Sequence, residues 1–205
     1  MRGLYAILDV EACAGREPVA VARAILRGGC AVMQLRSKRL GDAERLGLAR
    51  ELRALCAAAG VPFVMNDRAD LAVLSGADGL HLGQDDVAIE DARRIVGRMR
   101  VGVSTHSLAQ ARDAAARGAD LIGFGPVYPT RTKDKPDEVV GITGLHDVCA
   151  QVSVPVVAIG GVTLERAGAC AAAGASLVAA ISAVCGAEDP EGAARALHAA
   201  VRGAT

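Results

Sequence analysis

The chain alternates two hydrophobic patterns with a regular beat. Short runs rich in Val, Ile, Leu and Ala, with little polar alternation, read as strands covered on both faces. They span Leu4–Val10, Ala31–Arg36, Pro62–Asn66, Gly79–Gly83, Arg100–Ser104, Leu121–Gly125, Pro155–Gly160 and Leu177–Ile181. Between them lie Ala-rich segments with helical spacing, such as Asp42–Ala59 and Leu108–Arg117, and the chain closes with Pro190–Arg202. A joint recurs about every two dozen residues: helix, small-residue stop, short β run. Examples are Arg27-Gly28-Gly29-Cys30 into Val32-Met33-Gln34-Leu35, Ala59-Gly60-Val61-Pro62 into Phe63-Val64-Met65, and Ser75-Gly76-Ala77-Asp78 into Gly79-Leu80-His81-Leu82. Arg117-Gly118-Ala119-Asp120 and Ala173-Gly174-Ala175-Ser176 repeat it later. Glycine suits the stop because it enters the left-handed conformation at little cost.

Strands alternating with helices pair in parallel. An open doubly wound sheet and a closed barrel both satisfy that pattern. Eight regular units favour closure, and the first strand is not followed by a G-x-G-x-x-G turn. The expected fold is α/β, a single-domain (β/α)8 TIM barrel of parallel strands over residues 1–205.

Composition agrees with one self-sufficient core: 205 residues, 52% hydrophobic and 22% charged. Lys+Arg and Asp+Glu both number 23, so no basic excess points to nucleic acid. The six cysteines are scattered without a C-x-x-C pair and read as reduced packing thiols. The first apolar run is too short for a signal peptide and no stretch is long enough to span a bilayer, so a soluble, cytoplasmic protein with no membrane partner is expected. Homo-oligomer formation stays open, because helix-face hydrophobics do not divide themselves between core and interface.

In a barrel of this kind the working residues sit at the C-terminal strand ends. Strand two ends Gln34-Leu35-Arg36-Ser37-Lys38, and period-two alternation puts Gln34, Arg36 and Lys38 on one face, with Met33 and Leu35 facing the helices. Strand three ends in Asn66-Asp67, strand four in Gly83-Gln84-Asp85-Asp86 and strand five in Ser104-Thr105-His106. After strand six, Asp120 to Lys135 runs from buried apolar residues into a loop carrying Thr130, Thr132, Arg131, Lys133 and Lys135, groups suited to phosphate oxygens. Strand seven ends Ile159-Gly160-Gly161 and strand eight Ile181-Ser182, the usual phosphate corner of the fold. Asp67 and Asp86 beside a phosphate would repel it by about 4 kcal/mol per unit-charge pair at an effective dielectric of 20. A divalent cation reverses that sign, and hard oxygen ligands suit Mg²⁺.

Structural roles compete for the same residues. Asp67, Asp86 and especially Asp85 are the type that caps helices after βα loops. Gly160-Gly161 also suits a tight turn, and Arg36 an ion pair inside the barrel. His81 suits a hydrogen-bonded interior position and His106 the start of a helix, while His146 and His198 read as surface residues. Joint placement at successive strand ends favours function, because capping alone does not explain it.

Seven stretches in order also resemble one family. Gln34-Leu35-Arg36-x-Lys38, Asn66-Asp67-x-Ala69-Asp70-Leu71-Ala72, Gly79-Leu80-His81-Leu82-Gly83-Gln84-x-Asp86, Gly102-Val103-Ser104-x-His106-Ser107, Gly123-x-Gly125-Pro126-Val127-Tyr128-Pro129-Thr130-x-Thr132-Lys133, Ala158-Ile159-Gly160-Gly161-Val162 and Ile181-Ser182 look like the thiamine phosphate synthase family. The likeness spans nearly the whole chain; the first strand, Leu4 to Asp9, matches more loosely. It implies a transferase of the (β/α)8 fold that joins a hydroxymethylpyrimidine diphosphate to a thiazole phosphate, or its carboxylate form, releasing pyrophosphate. It further implies that Gln34, Lys38 and Asn66 hold the pyrimidine diphosphate, that Arg36 is a substrate-binding residue, and that Asp67 and Asp86 hold Mg²⁺. Ser104 and Lys133 would meet the pyrimidine and the pyrophosphate, Thr130 and Thr132 the thiazole substrate, and Gly161, Ile181 and Ser182 its phosphate. Lys38, Ser104 and Lys133 would then carry catalysis by charge stabilisation and positioning. Two other readings use the same barrel: a thiazole tautomerase, which needs a proton-transfer group such as His106, and a non-catalytic barrel that binds a phosphorylated ligand to regulate a partner.

Overall fold

The computed structural model describes residues 1–130 and 138–204. Its eight strands, β1 (Gly3–Asp9), β2 (Val32–Arg36), β3 (Phe63–Asn66), β4 (Gly79–Leu82), β5 (Arg100–Thr105), β6 (Leu121–Phe124), β7 (Val156–Ala158) and β8 (Leu177–Ala180), form a closed barrel in chain order. Every pairing is parallel. Closure runs from Gly3 opposite Leu177 to Ala6 opposite Ala180. Helices α1 (Pro18–Gly28), α2 (Asp42–Ala58), α3 (Ala69–Ser75), α4 (Ile89–Val96), α5 (Leu108–Ala116), α6 (Gly141–Gln151), α7 (Leu164–Ala172), α8 (Ser182–Cys185) and α9 (Pro190–Gly203) surround it. The fold is the expected (β/α)8 barrel.

The pleat divides the core into two layers. Met33, Leu35, Phe63, Met65, Leu80, Leu82 and Ile122 point outward into the layer shared with the helices. Tyr5, Val32, Val157, Leu177 and Ala179 point inward, with Ile7, Val64, Leu121 and Ile159 packed against them. The face assignment of Met33 and Leu35 was legible in the alternation alone. Two local devices were not. After β1 the chain turns into a short 3-10 helix, Val10–Cys13, capped by Asp9, where the apolar pattern reads as continuing strand. Strand β7 stops at Ala158 because Gly160 and Gly161 take φ of 85° and 64°, which no strand accommodates.

His198 is corrected from a surface residue: its Nδ1 accepts a hydrogen bond from the Leu4 amide at 3.2 Å, joining α9 to the start of β1. His146 is exposed as expected. All six cysteines are free thiols, five of them buried. Among the described residues no helix is long and apolar enough to cross a membrane.

Two described cavities differ in place. One of about 1020 Å³ opens at the N-terminal end of the barrel, lined by Val32, Val64, Leu121 and Leu177 among others. The other, about 350 Å³, lies between α4 and α5 and reaches Gln84 and Asp86 on the C-terminal side. Size does not mark the site here, since the larger cavity lies away from the converging polar groups.

Glycine has opposite uses at two positions. A methyl at Gly125 would lie 2.1 Å from the Ile159 carbonyl oxygen, where β6 and β7 approach, whereas one at Gly168 on α7 meets nothing within 4 Å. Chemical denaturation should find Gly125→Ala destabilised by roughly 1–3 kcal/mol or more through overpacking. Gly168→Ala should gain about 0.5–1 kcal/mol from reduced backbone entropy in the unfolded chain.

Candidate active site

Closure of a parallel barrel sends all eight strand C-termini to one rim, so residues far apart in sequence become neighbours. Asp9 stands opposite Arg36 in the β1–β2 register, and the two form an ion pair. The same Asp9 carboxylate accepts from the Ala12 amide at 3.1 Å and so caps the 3-10 helix. Arg36 therefore has the internal acid partner that a purely structural role requires. One turn on, the Glu11 carboxylate accepts from the Ser37 hydroxyl at 3.1 Å and from the amides of Lys38 at 3.1 Å and Arg39 at 3.0 Å. Burial opposes ionisation of Glu11, but these hydrogen bonds prevail and hold its pKa below the ordinary carboxylate value. The loop carrying Lys38 is thus shaped by the 3-10 turn that follows β1. Gln34 is 2% exposed, and its amide donates to the Asn66 side-chain oxygen at 3.4 Å.

Asp67 and Asp86 come together although they sit on different loops. Asp67 has a left-handed backbone, φ 64°, with its amide donating to the His81 carbonyl at 2.8 Å. Asp86 accepts from the Gly83 amide at 2.6 Å. Neither caps a helix: the N-caps of α3 and α4 are Arg68 and Ala88, without side-chain capping bonds, which also removes the capping role expected of Asp85. Partial burial, then the charge of Asp86 and a hydrogen bond to it, push the Asp67 pKa up to about 7 against the pull of Arg36 and Arg45. The residue as a whole is exposed at the rim, so the Asp86 contact is the firmer of these causes. Two carboxylates are therefore held close enough to share a proton. Among the described residues no third His, Cys, Asp or Glu completes an all-protein metal cage.

Beyond them His81 lies inside the barrel, with Nε2 2.9 Å from the Ser104 hydroxyl. Burial lowers its pKa to about 4, so the ring is neutral. Gln84 donates to the Ser104 carbonyl at 2.7 Å and ties the β4 loop to β5. His106 precedes the helix it was expected to begin, since the N-cap of α5 is Ser107; its Nδ1 lies 2.5 Å from the Gly125 carbonyl.

On the far side of the rim the β6 and β7 loops are laced together. Val127 donates to Ile159 at 2.9 Å and Tyr128 to Gly160 at 3.2 Å. A methyl on Gly161 would lie 2.4 Å from the Pro129 carbonyl, so glycine is required by both space and φ. Thr130 is half-buried at the end of this lacing, while Ile181 and Ser182 lie at the start of α8. Thr132 and Lys133, with Arg131 and Lys135, lie outside the described residues.

With this geometry, three comparisons converge. The thiamine monophosphate synthase family model matches residues 4–184. This chain belongs to that family. A thiamine-phosphate synthase from Chloroflexus aurantiacus is 42% identical over 97% of this chain and 92% of its own length. One from Anaeromyxobacter dehalogenans is 44% identical over 99% and 92%. The solved thiamine phosphate pyrophosphorylase from Pyrococcus furiosus superposes with a TM-score of 0.92 at 36% identity, covering 98% of this chain and 96% of that one. The chain is thus a member of a transferase family.

For this thiamine monophosphate synthase family member, strand-end reasoning missed Asp9, Glu11 and Gln84, which organise the rim. Asp9 and Glu11 were hidden because they serve residues of the next βα unit, a relation without local periodicity. Gln84 was in view between Gly83 and Asp85, but nothing in its neighbours signals a bond to β5.

The acid pair has a measurable consequence. A carboxyl whose folded pKa is raised makes the folded protein bind the extra proton, so its contribution to stability is most favourable at low pH and declines between about pH 4 and 7. Asparagine removes that ionisation and tolerates the left-handed backbone better than alanine. Denaturation of metal-free protein should find Asp67→Asn gaining on the parent as pH rises from about 4 to about 7, and levelling off above that. An advantage that shrinks with rising pH would contradict the shared-proton geometry.

Proposed function

We propose that the protein is a thiamine-phosphate synthase that joins the pyrimidine diphosphate to a thiazole phosphate, or to its carboxylate form, and releases pyrophosphate. The observation carrying this reading is the contact between Asp67 and Asp86 on a rim shared with the Lys38 loop, Asn66 and Ser104. Two carboxylates crowded until one binds a proton near neutral pH are a poor resting arrangement and a good receptor for a hard cation. With two protein ligands, the remaining coordination falls to substrate oxygens and water, as Mg²⁺ prefers. Asp67 and Asp86 would hold the ion, which when bound neutralises charge on the departing pyrophosphate.

The remaining roles follow from donor chemistry and position. Gln34, Arg36, Lys38 and Asn66 bind the pyrimidine diphosphate, with Lys38 directed to its phosphate oxygens. Ser104 meets the pyrimidine, and Lys133 assists the leaving group. Thr130 and Thr132 orient the thiazole substrate, while Gly161, Ile181 and Ser182 receive its phosphate. The carbon–oxygen bond to pyrophosphate breaks first, leaving a pyrimidinylmethyl cation stabilised by its own amino group. The thiazole nitrogen lone pair then forms the new carbon–nitrogen bond. No protein nucleophile enters, so the residues act by positioning and charge stabilisation. A biosynthetic transferase of this kind belongs in the cytoplasm.

Purified protein given both substrates and Mg²⁺ should release pyrophosphate and form thiamine phosphate, with chelator stopping both. Asp67→Asn should lower turnover by about two orders of magnitude or more while the fold persists, as expected for loss of a metal ligand. Lys133→Ala should reduce use of the diphosphate; an unchanged rate would remove it from the mechanism. Isomerisation of a thiazole carboxylate phosphate without metal, in place of coupling, would identify a proton-transfer enzyme.

A further inference from the structure

His81 is a buried polar group inside the barrel that the proposed chemistry leaves unused. It faces Gly102 across the β4–β5 register, and its ring reaches over β5 toward β6. Space for it is written into two neighbouring strands. A methyl at Gly102 would lie 2.7 Å from His81 Nδ1, and one at Gly123 would lie 3.3 Å from Cε1. Tyr5 closes the other side edge-on, with ring centroids 6.3 Å apart. The imidazole is therefore fixed in place, 8% exposed, with one nitrogen 2.9 Å from Ser104 Oγ and the other, Nδ1, buried without a hydrogen-bond partner among the described residues.

That asymmetry selects a tautomer. A neutral imidazole carries one N–H and one lone pair. If Nδ1 held the proton, a donor would be buried unbonded; if Nε2 holds it, only a lone pair is left over, and unmet acceptors are the better tolerated of the two. Nε2 is then the donor and Ser104 Oγ the acceptor. With Ser104 Oγ accepting from Nε2, its own hydroxyl hydrogen is not spent on His81 and is left to donate to another acceptor.

We propose that His81 is a positioning residue that sets the polarity of Ser104, making its hydroxyl a hydrogen-bond donor to an acceptor nitrogen of the pyrimidine substrate. The inference rests on the reading of Ser104 as a pyrimidine contact. It adds a specificity rule: the site favours rings presenting a lone pair at that point over rings presenting an N–H or C–H.

The test is steady-state kinetics of pyrophosphate release with His81→Gln, His81→Asn, Ser104→Ala and the double variant His81→Asn/Ser104→Ala. Gln and Asn place comparable polarity in the core, but only the longer Gln carries its amide out to the position of Nε2. His81→Gln should keep kcat/KM for the pyrimidine diphosphate within about threefold of the parent, while His81→Asn should lose about tenfold, the scale of one hydrogen bond. The KM for the thiazole substrate should not move in either. Ser104→Ala should lose a similar factor, and adding His81→Asn to it should cost nothing further, since both act through one hydroxyl. Equal behaviour of the Gln and Asn variants, or multiplicative losses in the double variant, would overturn the role of His81 while leaving Ser104 as a contact. No loss in Ser104→Ala would instead overturn the reading of Ser104 on which the inference rests. Melting temperatures of all four variants separate a folding defect from either outcome.

Discussion

Hydrogen bonding of β8 to β1 is the constraint on which the molecule depends. Gly3 through Ala6 pair with Leu177 through Ala180, joining segments at nearly opposite ends of the chain. Without that seam the sheet would have two open edges and its strand ends would fan apart along a twisted plane. With it, every strand C-terminus faces the same opening. The seam lets Asp67 meet Asp86 and brings Ile181 and Ser182 round toward the loop that follows β1.

Electrostatics at the rim follows from how each loop is neutralised. Arg36 is balanced by Asp9, and the Glu11 carboxylate is held by the amides of Lys38 and Arg39, so each acid of the β1–β2 side has its own donors in definite geometry. The β3–β4 side brings two acids together against the more distant pull of Arg36 and Arg45, and there a proton is retained near neutral pH. A side whose acids have their own donors and a side where two acids crowd each other then share one opening. This contrast marks where an added cation gains most.

Inside the barrel, packing and polarity are coupled through missing side chains. Barrel cores of this kind are usually filled by branched residues from every strand. Here Gly102 and Gly123 leave space that the His81 ring fills, and the ring carries a hydrogen bond from the apolar interior up to Ser104 at the rim. The same choice that avoids a clash therefore gives a buried element a route to the site.

Much of this was legible in residue order alone. Eight apolar runs separated by small-residue stops specify strands, helices and the parallel barrel, because period, propensity and glycine stops are local properties. Alternation put Gln34, Arg36 and Lys38 on one face, strand-end position singled out Asp67, Asp86 and Ser104, and family likeness gave them roles. What the sequence left undecided was which candidate touches which. Asp67 is a plausible cap by residue type, and only the fold reveals that Arg68 occupies the cap while Asp67 turns to Asp86. Asp9, Glu11 and the His81–Ser104 bond likewise emerge only after closure. Periodicity reports the direction a side chain takes from its own strand; contacts across a rim depend on register, loop path and ring closure, which no local pattern encodes.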